Sequence, residues 1–282
     1  MSITGQAKVA GVVGWPVAQS LSPSLHGYWL QQYGINGSYI PLAVRPEDLA
    51  ESLQTLPKLG FVGANLTVPH KEAAVEIVDK IDDTAARIGA VNTIVISDDG
   101  LIEGRNTDGF GFIAALSAAT DLSTAKNEPA VVIGAGGAAR AVVTSLLDYG
   151  VSSIRLVNRT YERAEALRDE MGDKIEPVRW AECSDALSGA KLLVNTTTLG
   201  MVGNPPLKIP LDDLSPTAIV NDIVYSPLMT NLLKNANERG NPIVDGLNML
   251  LHQARPGFAA WFDKEPEVTD ALRSHILDQK EA

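Results

Sequence analysis

The chain has 282 residues, 45% of them hydrophobic, and a formal net charge of −11. That apolar content is ample for globular cores, the length suits two domains, and a disordered or fibrous chain is excluded. The acidic balance argues against nucleic acid or an anionic membrane as partner, because neutralising phosphates needs an exposed basic face. Cys183 is the only cysteine, so no intrachain disulfide can form and a reducing, cytoplasmic setting is expected. Val9 to Ala18 reads as a buried first strand, since glycines and Trp15-Pro16 interrupt it too early for a signal peptide, and nothing else approaches the length of a membrane-spanning helix.

From Val9 to Val13 the pattern predicts a strand. Ser22 is expected to cap a helix that Pro23 opens and that ends at Tyr33, before Gly34. Strands follow at Ser38 to Leu42 and Phe61 to Leu66, with a helix after Pro46 between them. Val91 to Ile96 and Leu101 to Gly104 flank Asp98-Asp99-Gly100 as a hairpin, so parallel and antiparallel strands share one sheet. A helix runs from Thr107 to about Ala118, and polar Thr120 to Pro129 leads into a second domain. Strands near Ala130 to Ile133, Ser153 to Val157, Lys191 to Val194, Ala218 to Asn221 and Pro242 to Val244 predict a doubly wound parallel sheet. Two closing helices, Leu247 to Phe262 and Glu267 to Asp278, have no strand to follow and are expected to return to the first domain.

Polar residues gather at strand ends in the first domain. Ser22-Pro23-Ser24 puts two hydroxyls at a helix N-terminus, a ready site for a carboxylate unless Ser22 serves only as a cap. Asn65-Leu66-Thr67-Val68-Pro69-His70-Lys71 places Thr67 and Lys71 at a strand's carboxyl edge, where ligands of open α/β sheets gather. His70, beside a proline and one of four histidines, reads as structural, and no metal is expected. Lys71 and Asp108 in one cleft would form the pair that proton transfer requires; the alternative is a surface salt bridge.

The stretch AVVIGAGGAAR, Ala130 to Arg140, runs an apolar strand into Gly134, Gly136 and Gly137. The glycines allow a tight turn and close approach of a dinucleotide pyrophosphate, and Ala139 lets helix pack on strand. The same letters fit an ordinary strand-to-helix turn, so context matters. About one βα unit later come Asn158, Arg159, Thr160 and Arg163, where an NAD site would place an acid on the ribose. Cations and a hydroxyl suit a 2′-phosphate instead, which favours NADP. The alternative is a helix capped by Thr160 and flanked by ordinary surface arginines.

SLSPSLH, NLTVPHK, AVNT, NTDG, GAGGAAR, NRT, NTTTLGM, DIVY and GLNMLLHQ together resemble the shikimate dehydrogenase family in order and spacing over nearly the whole chain. The resemblance implies an α/β fold: an N-terminal three-layer substrate domain with a mixed sheet (1–106), an NADP-binding Rossmann domain (107–245), and C-terminal helices (246–282) packing on the substrate domain. It implies an oxidoreductase that reversibly reduces 3-dehydroshikimate to shikimate with NADP, a step toward chorismate and the aromatic amino acids. By the same resemblance Ser22, Ser24 and Tyr225 would hold the substrate carboxylate. Thr67, Asn92, Asp108 and Gln253 would bind ring hydroxyls, and Lys71, paired with Asp108, would exchange the proton. Gly134, Ala135, Gly136, Gly137 and Ala138 would cradle the pyrophosphate, and Asn158, Arg159, Thr160 and Arg163 the adenosine phosphate. Ile223 and Gly246 would line the nicotinamide side, with Asp83 near the cofactor. Gly27 stands where the family often has Asn, and Thr196 where it has a smaller residue.

Two other readings stay open on sequence. One is a quinate/shikimate dehydrogenase using NAD or NADP; the other is a cofactor-binding protein without turnover, against which the retention of Lys71 and Asp108 argues. An apolar strand edge in the first domain allows either a covered edge or a homodimer.

Overall fold

Lys8–Gly14 forms β1, and every residue from Ala10 onward is buried, as expected of a central strand covered on both faces. The computed structural model describes residues 3–281. After β1 come α1 (Ser22–Gln32), β2 (Gly37–Ala43), α2 (Leu49–Thr55), β3 (Phe61–Leu66), β4 (Lys80–Ile81), α3 (Asp83–Ile88), β5 (Thr93–Ile96) and β6 (Ile102–Arg105). The strands order as β2-β1-β3-β5-β6-β4. β1 pairs in parallel with β2 and β3, whereas β3–β5 and β5–β6 are antiparallel. The mixed sheet predicted from the hairpin is therefore present, turned by Ser97 to Gly100, with Gly100 at φ 84.

The remaining elements are α4 (Asp108–Ala119), β7 (Ala130–Ile133), α5 (Gly137–Tyr149), β8 (Ile154–Asn158), α6 (Tyr161–Met171), β9 (Ile175–Arg179), β10 (Leu192–Asn195), β11 (Ile219–Asp222), α7 (Asn231–Glu238), β12 (Ile243–Val244), α8 (Gly246–Phe262) and α9 (Asp270–Glu281). Strands β7 to β12 form a parallel sheet ordered β12-β11-β10-β7-β8-β9, the doubly wound arrangement whose order reverses between β7 and β10. Ala130 and Val132 pack into one core with α4, α5 and α6, and Val131 and Ile133 into another with α7. Burial on both faces is why the strand reads as an unbroken apolar run rather than an alternating one. The chain divides into two units, residues up to Thr107 with those from Gln253 onward, and Asp108–His252, so α8 contributes to both.

One expectation needs correction, and two strands carry no signal in the sequence. Ser22 is the first helical residue and not the cap: Leu21 occupies that position without a side-chain cap bond, and the Ser20 hydroxyl accepts the Ser22 N–H at 3.3 Å. β9 was not predicted, because Glu176, Pro177 and Arg179 disguise an edge strand, where a missing N–H and charged residues are tolerated. β4 is only two residues long, too short for any periodicity.

The later half of α8 packs its aromatic face on the mixed sheet. The His26 ring stacks on Tyr39, with centroids 3.9 Å apart and planes at 5°, and lies 5.6 Å from Trp261. Trp261 donates its indole N–H to the Ile94 carbonyl at 2.9 Å. Gly63 makes room for that bond: a Cβ there would lie 2.1 Å from Trp261 Nε1 and 2.3 Å from the Ile94 oxygen, at φ 155. Gly63→Ala is therefore expected to lose about 2–4 kcal/mol of stability, measured by urea unfolding.

Burial lowers the His26 pKa from 6.5 to about 3, with the Asn65 side chain opposing. A histidine that is harder to protonate folded than unfolded contributes stability that is full above 6.5 and is lost as pH falls toward 3. The slope is at most about 1.4 kcal/mol per pH unit. In acid titrations of unfolding free energy, His26→Phe should flatten the fall between pH 6 and 4.

Candidate active site

Where β7 ends, Gly134 takes φ 107, a conformation that L side chains rarely adopt. A Cβ on it would lie 2.6 Å from Thr196 Oγ1, because the loop after β10 closes over the strand end: Thr196 donates both its N–H, at 2.8 Å, and its hydroxyl, at 2.7 Å, to the Ile133 carbonyl. Gly136, the N-cap residue of α5, is the opposite case. A Cβ there meets nothing within 4 Å, so the backbone faces open space. The first turn of α5 has no acidic residue, Ala135, Gly137 and Ala138 are half-buried and Ala139 is fully buried. Unpaired N–H groups, the positive helix end and an open backbone fit a pyrophosphate.

At the end of β8 the Asn158 side chain donates to the Thr160 carbonyl at 2.7 Å, which shapes the turn into α6. Thr160 is the N-cap residue there, yet its hydroxyl makes no capping bond. Arg159 and Arg163 are exposed and take part in no ion pair among the described residues. Arg179 on β9 stands opposite Asn158 in the register, its guanidinium 4.3 Å over the Tyr161 ring. Two solvated guanidiniums and a spare hydroxyl fit a phosphate monoester, and a third cation nearby went unnoticed in the sequence because β9 did.

The next two strand ends are joined by buried side chains. Asn195 donates to Asp222 Oδ1 at 2.9 Å and to the Leu199 carbonyl at 3.1 Å, and accepts the Thr197 N–H at 3.0 Å. Asp222 also accepts the Val224 N–H at 3.0 Å and the Thr230 hydroxyl at 2.7 Å. Burial pushes its pKa up to about 6, the three hydrogen bonds opposing. The network fixes the loop that carries Ile223 and Tyr225, whose phenol pKa burial also raises. Gly246 packs directly on that loop, where a Cβ would lie 2.1 Å from the Ile223 oxygen.

In the unit of the mixed sheet, β3 delivers Thr67 and Lys71. The Thr67 N–H bonds to the Val13 carbonyl at 3.0 Å, and the Lys71 carbonyl accepts the Val91 N–H at 2.8 Å, holding Lys71 next to Asn92 in the fold. Lys71 is half-buried. His70, as read, is structural: its Nε2 lies 2.8 Å from the Val44 carbonyl. Asn92, 2% exposed, accepts the Thr107 N–H at 2.9 Å and the Thr93 hydroxyl at 2.9 Å, and donates to Gln253 Oε1 at 3.3 Å. Asn65 extends this chain, donating to Thr93 Oγ1 at 3.0 Å and accepting the Tyr39 hydroxyl at 2.7 Å. The Ser22 hydroxyl adjoins Tyr39. Ser22, Asn92 and Gln253 thus lie along one buried polar chain, whose linking residues Tyr39, Asn65, Thr93 and Thr107 were assigned no role from sequence. Ser24 stands apart from it, its hydroxyl 3.1 Å from His275 Nε2 on α9. Asp83 is exposed in the first turn of α3, and Asp108 opens α4 at 6% exposure.

A glycine-turn Rossmann sheet with a basic corner, joined to a mixed α/β unit that carries a lysine at a strand edge, defines a dinucleotide-dependent oxidoreductase. Residues 12–94 match the family described as "Shikimate dehydrogenase substrate binding domain" and residues 116–200 the one described as "Shikimate / quinate 5-dehydrogenase". The chain is 56% identical over 275 residues to the shikimate dehydrogenase (NADP(+)) of Paramagnetospirillum magneticum, covering 98% of this chain and 100% of that protein. Its fold is similar to the Thermus thermophilus shikimate 5-dehydrogenase in complex with NADP(H) and shikimate, with TM-score 0.86, 36% identity and coverage of 96% and 99%. It is also similar to the Corynebacterium glutamicum quinate dehydrogenase in complex with NAD, with TM-score 0.89, 31% identity and coverage of 96% and 99%. The chain belongs to the shikimate dehydrogenase family.

Among the described residues no group of three or more His, Cys, Asp or Glu could hold a metal ion, and no helix is long and apolar enough to cross a membrane. The open space at Gly136 makes a sharp test of the cradle. Gly136→Ala should leave the thermal unfolding free energy within about 1 kcal/mol of the parent, yet weaken NADP binding in calorimetry by about tenfold, roughly 1.4 kcal/mol.

Proposed function

We propose that the chain catalyses the reversible, NADP-dependent reduction of 3-dehydroshikimate to shikimate, on the route to chorismate and the aromatic amino acids. The observation that carries this reading is the half-buried Lys71 at the carboxyl edge of β3, its backbone bonded to Val91 and therefore held beside the buried amide of Asn92. A lysine ammonium held in that neighbourhood would serve as a proton donor beside an amide able to recognise hydroxyls.

The backbone from Gly134 to Ala138 would hold the pyrophosphate of NADP, and Arg159, Thr160 and Arg163 its 2′-phosphate, with Asn158 shaping the turn. Ile223 and Gly246 would line the nicotinamide side, and Asp83 would stand near the cofactor. Bound there, the nicotinamide supplies or takes up the hydride. Ser22 and Ser24 donate hydroxyls to the substrate carboxylate, with Tyr225 a third donor. Thr67, Asn92 and Gln253 orient the ring hydroxyls. As negative charge develops on the carbonyl oxygen, the Lys71 ammonium gives it a proton, and in the reverse direction the amine takes that proton back. Asp108 is the carboxylate assigned to the ring hydroxyls and to stabilising the charged lysine. Neutral hydroxyls at a helix end suit an anionic substrate on a protein of net charge −11, since they need no basic patch.

Arg159 and Arg163 favour NADP over NAD, while the similarity to a quinate dehydrogenase keeps quinate as the second substrate to test. We propose a cytoplasmic setting, since a chain with a single cysteine forms no intrachain disulfide and suits a reducing compartment. β2 ends one side of the mixed sheet, and a homodimer would form there if a second copy covered that edge.

Shikimate and quinate, each with NADP and with NAD, should be compared by the near-ultraviolet absorbance of reduced nicotinamide. A rise with shikimate and NADP is expected; a larger rise with quinate or NAD would overturn the assignment of substrate or cofactor. Lys71→Ala should cut kcat by about 10²- to 10⁴-fold with NADP binding unchanged, and near-parental turnover would remove Lys71 from the mechanism.

A further inference from the structure

The C-terminal helix α9 packs against α1, and one contact between them reaches a residue assigned to substrate. Ser24 Oγ lies 3.1 Å from His275 Nε2, and the His275 ring lies 5.1 Å from that of Tyr28, at 42°. Ser24 and Tyr28 are four residues apart on α1 and so share a face. α1 has no Asp, Glu, Lys or Arg between Ser22 and Gln32, so its only ionisable group beside the imidazole is the Tyr28 phenol; on α9 the nearest acid in sequence is exposed Asp278. His275 is half-buried and lies in none of the motifs that mark the family.

A serine hydroxyl has one proton and two lone pairs, and a carboxylate can only accept. If Nε2 of His275 lacks a proton, it accepts the hydrogen bond of the Ser24 hydroxyl, whose lone pairs are then left to face the anion. If Nε2 carries the proton, it donates to Ser24 Oγ and the hydroxyl is free to donate to the carboxylate. The direction of this one hydrogen bond therefore decides whether Ser24 attracts or repels the substrate.

We propose that His275 is a positioning residue for substrate binding: it donates from Nε2 to Ser24 Oγ and so aims the Ser24 hydroxyl at the substrate carboxylate. The proposal rests on the reading above that Ser24 holds that carboxylate. It assigns α9 a part in recognition, through a side chain 251 positions away from the serine it directs. In that arrangement His275 acts on substrate affinity and not on the proton or hydride steps.

Steady-state kinetics of the full chain with shikimate and NADP test this in a double-mutant cycle. His275→Leu is expected to raise the shikimate KM by roughly five- to tenfold, the scale of one hydrogen bond, with kcat and the KM for NADP within about twofold of the parent. His275→Gln, which keeps an N–H donor at similar reach, should restore most of that affinity. Ser24→Ala should raise the KM as well, and adding His275→Leu to it should have little further effect, because the two act through one bond. Thermal unfolding of each variant separates this from loss of fold: a KM defect in Leu that Gln rescues at equal stability supports the proposal. If Ser24→Ala raises the KM but His275→Leu does not, or if the two effects multiply, His275 has no positioning role. If Ser24→Ala leaves the KM unchanged, the carboxylate assignment of Ser24 falls and this inference falls with it.

Discussion

Asn92 uses both ends of its amide at once, and the mixed-sheet unit is arranged so that it can. Its oxygen takes the Thr107 N–H and the Thr93 hydroxyl, and its nitrogen faces Gln253 of α8. A buried amide left without partners costs about 1–3 kcal/mol for each unpaired group. Segments as distant as β5, Thr107 and α8 must therefore meet in one register to avoid that cost. The ordering sets these polar groups in direction in advance, so a ligand that met them would spend less of its binding energy on arranging them. The Lys71 backbone is tied to the same region, its carbonyl accepting the N–H of Val91, the residue next to Asn92.

The Rossmann unit solves the same problem with an acid in place of an amide. Asp222, fully buried, gathers Asn195, Thr230 and the Val224 N–H. Three donors oppose the burial without cancelling it, so its pKa stays raised at about 6, and the carboxylate is desolvated yet well paired. Through Asn195 it fixes the loop from Thr196 to Leu199, and through Val224 the loop of Ile223 and Tyr225. One of those loops closes on Gly134 and the other on Gly246. Both glycines owe their identity to these contacts, since neither can carry a Cβ without striking loop atoms.

What the sequence made legible follows from how local each feature is. β3 spans Phe61–Leu66 as predicted, because an apolar run bounded by Gly60 and the polar turn after Leu66 carries its own signal. The glycine turn after β7 was legible for a similar reason, as positive φ and close backbone approach constrain residue type within a few positions. β9 was not, since an edge strand can carry Pro177 and charges that a central strand cannot. The helix starts at Ser22, one residue before the Pro23 that the sequence pattern marks, because the Ser20 hydroxyl and not a Ser22 cap accepts the N–H of Ser22.

The site shows the same division more sharply. Ser22, Ser24, Thr67, Lys71 and the glycines stand at strand ends or helix starts, where topology alone directs ligands. Tyr39, Asn65, Thr93 and Thr107 belong to strands or their ends, and each looks from its sequence neighbours like a tolerated polar residue. Their shared role exists only once the sheet has placed them side by side, with β3 and β5 antiparallel and Asn65 opposite Thr93. Arg179 is similar, a cation that becomes relevant to the basic corner only because β9 sets it opposite Asn158. Residue type at a turn can be read locally because backbone geometry selects it. Residue type within a buried polar chain is selected by partners, and those partners are brought together by long-range pairing that leaves no periodic mark in the sequence.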